Sequence, residues 1–137
     1  AYLVAATLNL IVAQRLARLL CKECKQEYTL SKEEETDLEA ARPDIARNIK
    51  SGAKFFKHVG CKACGGIGYK GRVGLYEVLD LTKEMREIIN DVNFTVDELY
   101  KQSKKEGLIT LLDDGINKLN EGLIDIPELI RVTALNE

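Results

Sequence analysis

CKEC at residues 21–24 and CKAC at residues 61–64 hold all four cysteines of the chain, and the spacing is the same in both. A disulfide within either pair would close a very tight ring. No leader with a basic start, an apolar middle and a small-residue cleavage site is seen, which points to a reducing compartment. A redox-active pair stands alone beside a βαβ unit, whereas two pairs at one spacing supply the four soft thiolates that a tetrahedral Zn²⁺ prefers. Cys21, Cys24, Cys61 and Cys64 therefore read as one metal site. The two-residue gap lets both sulfurs of a knuckle reach one ion, and the segment between the knuckles becomes a closed loop. Four thiolates leave no open coordination position, so the expected role is structural, with no hydrolysis at the metal. His58 lies close enough to Cys61 to compete as a ligand, but with the shell complete it reads as a solvated loop histidine.

Composition narrows the classes further. The chain has 137 residues, 45% of them hydrophobic, which is enough for a real core in one domain or in a small domain with an appendage. A formal charge of −2 speaks against nonspecific nucleic-acid binding, and a zinc held by four thiolates makes the balance more negative. The apolar opening AYLVAATLNLIVA is broken by Gln14 and Arg15 well short of the ~20 residues a bilayer span needs. It reads as a buried helix, and residue 1 already lies inside it, the pattern of a chain cut from something larger.

Along the chain, Leu8, Val12, Leu16 and Leu19 form one stripe of a helix expected over Ala6–Leu20, with Arg15 on its apolar face and its head reaching for solvent. Ser31 with Glu34 makes a capping box for an acidic helix that stops near Arg42-Pro43. A second short helix is expected in DIARNIKSG, closed by Gly52, and a strand in KFFKHV. Val73–Leu81 is apolar on both faces apart from Glu77, as in a strand inside a covered sheet. The remainder is helical, with caps expected at Thr82, at Thr95 with Glu98, at Thr110 with Asp113 and at Asp125 with Glu128. Arg72 and Glu77, five apart on one strand, fall on opposite faces and should find separate partners.

The ordered strings AQRLARLLCKEC, GCKACGGIGYKGRVGLYEVL and GLITLLDDGINKLNEGLIDIPELIRVT resemble the C-terminal part of the ATPases that drive type II secretion and type IV pilus assembly. The resemblance covers nearly the whole chain except residues 31–55. It implies an α/β fragment, mainly helical: the C-terminal part of a RecA-like motor domain with a zinc-clamped insertion and a short-helix bundle. The divisions it implies are a core helix over 1–20, a tetracysteine zinc subdomain over 21–70, and a returning strand with a C-terminal helical subdomain over 71–137. Gly71, Arg72, Gly74 and Glu77 match the family's returning strand, and Gln14, Arg15, Leu16 and Arg18 match its helix before the first knuckle. Arg15, Arg18, Arg72 and Glu77 are then structural or interfacial charges. The resemblance further implies a hexameric motor in the bacterial cytoplasm, peripheral to the inner membrane. Its partners would be the rest of the ATPase chain, the neighbouring subunits and an inner-membrane platform protein. The wording LNLIVAQRLAR is closer to pilus motors.

No GxxxxGK[ST] motif occurs, so the groups that cradle phosphates are absent. ATP and Mg²⁺ belong only to the full-length parent, and the segment by itself is expected to have no catalytic residues. A competing class is a free-standing zinc adaptor that binds a partner through its acidic helix or through Lys50, Lys54, Lys57, Lys62, Lys70 and Arg72. A thiol redox protein, the third class, would need one exposed, acidic cysteine in each pair.

Overall fold

The computed structural model describes residues 1–134. Its elements run α1 (Tyr2–Thr7), β1 (Leu10–Leu20), β2 (Gln26–Thr29), α2 (Lys32–Ala41), α3 (Pro43–Ala46), β3 (Lys54–Lys57), β4 (Tyr69–Asp80), α4 (Lys83–Asn90), α5 (Val96–Lys105), α6 (Leu111–Asn120) and α7 (Ile126–Val132). This is a mixed α/β arrangement with two small two-stranded sheets, β1 with β4 and β2 with β3.

The first sheet corrects the helix expected over Ala6–Leu20. Only Tyr2–Thr7 is helical, and Leu10–Leu20 is an eleven-residue strand. The Leu8, Val12, Leu16, Leu19 stripe fits a helical period, but Leu10-Ile11-Val12 and the apolar residues on both faces fit a strand equally well. Pairing with β4 decides between them, since long-range contacts override helix propensity. The pair is antiparallel: Leu81 N–H donates to Asn9 O near the start of β1, and Cys21 N–H donates to Gly68 O at its end. Among the described residues, the covered sheet expected around Val73–Leu81 consists of this pair, and Tyr76 and Val78 of β4 are exposed.

The chain divides into two compact units, Ala1–Gln14 with Tyr76–Leu111, and Arg15–Leu75 with the described part of Leu112–Glu137. In the first, Ala5, Leu81 and Ile89 form a small apolar cluster against which Phe94 and Leu99 pack. Thr82 accepts from Met85 N–H to cap α4, and Thr95 with Glu98 forms a capping box on α5. The Arg86 guanidinium donates to Ala5 O and to Asn9 Oδ1, tying α4 to the segment before β1.

In the second unit β2 and β3 pair antiparallel, with Tyr28 opposite Phe55 and Gln26 opposite Lys57. Between them, α2 begins at the expected Ser31–Glu34 capping box, and α3 starts with Pro43 as its first residue. Phe55, Ile45, Leu75, Leu119, Ile124 and Leu129 are fully buried. Gly115 of α6 lies so close to Leu129 and Leu75 that a methyl group there would overlap both side chains, which lets α6 approach α7 and β4 closely.

Candidate metal centre

Both knuckles sit at strand boundaries. Cys21 directly follows β1, and Cys24 comes two residues before β2. Cys61 and Cys64 bracket a single turn of 3₁₀ helix between β3 and β4. The four sulfurs all lie within 4.8 Å of one another, and no cysteine is disulfide-bonded. Sγ of Cys21 is 3.9 Å from that of Cys61, Cys24 is 3.9 Å from Cys64, and Cys61 is 3.7 Å from Cys64. A tetrahedron with metal–sulfur bonds of about 2.3 Å has edges of roughly 3.8 Å. The donor set and its spacing therefore fit a zinc-sized ion with four thiolates.

Backbone N–H groups supply the first layer of electrostatics. Gly60 N–H donates to Cys24 Sγ (3.3 Å), and Cys61 N–H and Gly68 N–H both donate to Cys64 Sγ (3.2 Å each). Burial pushes the Cys64 thiol up, but these donors outweigh it and bring the group down to about 6, which favours the thiolate. At Cys24 burial prevails over the single Gly60 donor and the group rises to about 11. Only a bound cation would stabilise four thiolates packed this closely.

Gly68 joins the two knuckles. While its N–H meets Cys64, its carbonyl accepts from Cys21 N–H at 2.9 Å. It adopts a positive φ of +83°, and a Cβ there would lie 2.7 Å from His58 Cβ and 2.9 Å from Val59 N. Glycine alone satisfies both the conformation and the space.

Around the sulfurs lies a polar network that the linear pattern does not reveal. His58 is exposed, as expected, but it also has partners: its Nδ1 meets Asp125 Oδ2 at 2.7 Å, and its ring stacks on Tyr69 with centroids 4.9 Å apart. It does not join the cysteine cluster. The Tyr69 hydroxyl donates to the same Asp125 oxygen at 2.6 Å. Burial, reinforced by that carboxylate, pushes the Tyr69 hydroxyl well above the usual tyrosine range, so it stays a donor. Asp125 is fully buried and caps α7, its Oδ1 accepting from Glu128 N–H at 3.1 Å.

Glu128 gathers the charges. Its side chain is 1% exposed, yet it accepts from Arg18 N–H, Nε and Nη2 and from Arg131 Nε and Nη2, at 2.7–3.0 Å. Burial pushes its carboxyl up, but the arginine donors win and hold it at about 2. The Arg18 guanidinium also lies 4.1 Å from the centre of the Tyr69 ring.

The other expected charges are not at the cluster. Arg15 is exposed on β1 and not packed in an apolar helix face, and Arg72 is exposed on β4. Glu77 accepts from Leu111 N–H at 2.8 Å and so holds the first residue of α6 through backbone, with no charged partner at that bond. Arg18 is the one of these that meets the network. Pairs such as Arg18 with Glu128, 110 positions apart, carry no local signature. The expected Asp125 cap was the one visible trace of the network.

Among the described residues no helix is long and apolar enough to cross a membrane. The profile of the family described as "Type II/IV secretion system protein" matches residues 1–131. The chain is 40% identical over 134 residues to the type IV pilus assembly ATPase PilB of Pseudomonas aeruginosa, covering 97% of this chain and 22% of that protein. It is 32% identical to the protein of the same name in Thermus thermophilus, covering 95% and 14% of the two chains. With the type II secretion system ATPase E of Vibrio cholerae the identity is 27%, covering 96% and 24%. The chain thus spans about a fifth of the length of these relatives.

Proposed function

Because the chain belongs to the type II/IV secretion system protein family, we propose that it is the zinc-binding C-terminal portion of an ATPase that powers pilus assembly or protein export. The observation that carries this reading is the tetrahedral spacing of Cys21, Cys24, Cys61 and Cys64 within a chain that aligns along nearly its whole length with secretion and pilus ATPases. The 40% identity to a pilus assembly ATPase favours pilus extension.

In this reading ATP and Mg²⁺ are held by the parent outside these 137 residues, and the segment contributes no catalytic group. The exposed apolar side chains of the β1–β4 pair, Ile11, Val12, Leu16, Tyr76 and Val78, suit strands of a larger RecA-like sheet completed by the parent chain. Neighbouring subunits of a hexamer and an inner-membrane platform protein are the proposed partners, with the motor at the cytoplasmic face of that membrane.

A zinc with four thiolates supplies cross-linking and no reaction. Cys21 directly follows β1, which carries Arg15 and Arg18, and Cys64 precedes β4, which carries Arg72. The closed site holds together the ends of a forty-residue excursion that would otherwise be free to separate. If those strands support the nucleotide site or a subunit boundary, loosening the clamp lowers turnover without touching the phosphate-binding groups.

The test is steady-state ATP hydrolysis and hexamer content of the full-length protein carrying Cys21→Ser with Cys24→Ser. Loss of turnover or of assembly is expected. Wild-type values of both would leave the zinc excursion as a partner-binding module and favour the adaptor reading.

A further inference from the structure

We propose that Tyr69 and Asp125 are positioning residues that make the first turn of α7 depend on the metal site, so that metal binding and α7 order are thermodynamically coupled. This rests on the metal reading above and goes beyond it, because it assigns a function to side chains that touch no sulfur.

The connection is short and continuous. Gly68 N–H donates to Cys64 Sγ, and the next residue, Tyr69, donates its hydroxyl to Asp125 Oδ2 at 2.6 Å. The other oxygen of the same carboxylate accepts Glu128 N–H at 3.1 Å and caps α7. One buried carboxylate thus has one oxygen on the metal loop and the other on the helix. Asp125 is fully buried, so water does not replace either partner at low cost.

When the knuckles are ordered by metal, Tyr69 is held where its hydroxyl meets Asp125. When they loosen, the carboxylate loses a donor while buried and the cap weakens with it. The coupling runs equally in reverse: α7 order raises metal affinity by the same factor by which metal raises α7 order, so weakening the Tyr69–Asp125 bond lowers metal affinity. A tyrosine that merely packs would make no such demand.

The experiment uses the full-length protein, with metal content measured first. Hydrogen exchange over residues 123–133 is followed with metal bound and after chelation, and affinity is read with Co²⁺ through its thiolate charge-transfer absorption. In the wild type, chelation should speed exchange at the first turn of α7 by about tenfold. Tyr69→Phe should show faster exchange with metal present, a smaller further increase on chelation, and Co²⁺ binding weakened by about tenfold. Asp125→Asn keeps the cap acceptor for Glu128 N–H while weakening the bond to Tyr69, and should move Co²⁺ affinity in the same direction if the phenylalanine variant does not fold. Wild-type α7 exchange that is indifferent to chelation, or unchanged Co²⁺ affinity in the folded variant, overturns the coupling while leaving the metal site standing. A full-length protein that binds no metal overturns both.

Discussion

The unit built from Ala1–Gln14 and Tyr76–Leu111 buries Ala5, Leu81, Met85 and Ile89, and its one buried polar side chain is Ser103. The unit built from Arg15–Leu75 and the described part of Leu112–Glu137 buries two of its cysteines together with the ionisable Asp125 and Glu128. The first draws its order from a small apolar cluster and helix caps, elements that act over a few residues. The second depends on groups that are costly to bury unless each finds its partner: four thiolates that call for a cation, and two carboxylates that call for donors. On the proposed metal reading, its stability is expected to answer to metal and to acid through these groups more than that of the first unit.

Removing the central carboxylate should affect this difference most. Glu128→Ala removes the acceptor shared by the Arg18 and Arg131 guanidiniums and the Arg18 N–H, leaving Arg131 only its bond to Leu16 O. Both arginines are about half exposed and can rehydrate, so a loss of about 3 kcal/mol is expected, at the lower end for breaking a buried pair. Chemical denaturation of the full-length protein, followed by a probe in α7, measures it.

Acid should act on the same group more mildly. The folded Glu128 carboxyl is depressed to about 2, so its contribution is complete above the ordinary glutamate range and is lost as pH falls from about 4.5 through about 2. Screening by solvent around the exposed arginines reduces the full linkage value to about 2 kcal/mol. Stability measured against pH should show this loss in the wild type and lack it in Glu128→Gln.

The first unit supplies the smallest effect. Glu77→Ala removes only an acceptor for Leu111 N–H, a loss of about 1 kcal/mol that salt changes little. A loss near 3 kcal/mol in a thermal or denaturant melt would mean that Glu77 serves a charged partner after all.

The same contrast explains what could be read along the chain. The cysteine spacing and the caps at Ser31, Thr82, Thr95 and Asp125 were visible because each depends on residues within three or four positions. The helix expected over Ala6–Leu20 fails at Leu10–Leu20 because an apolar run on both faces suits either period, and only the partner strand, far off in sequence, resolves it. The exposure of His58 is legible, but its partners Asp125 and Tyr69 are not, because they stand 67 and 11 positions away. Glu128 looked like the third residue after a cap, and nothing nearby announces that Arg18 will cross the fold to meet it.

The most direct measurement is regional hydrogen exchange of the full-length protein before and after metal removal, with zinc counted in the same sample. One equivalent of zinc held by these cysteines is expected. Chelation should cause a large loss of protection across residues 21–64, with little change across α4 and α5. Equal loss in both regions, no loss in either, or a metal-free folded protein with its cysteines paired as disulfides would contradict that expectation.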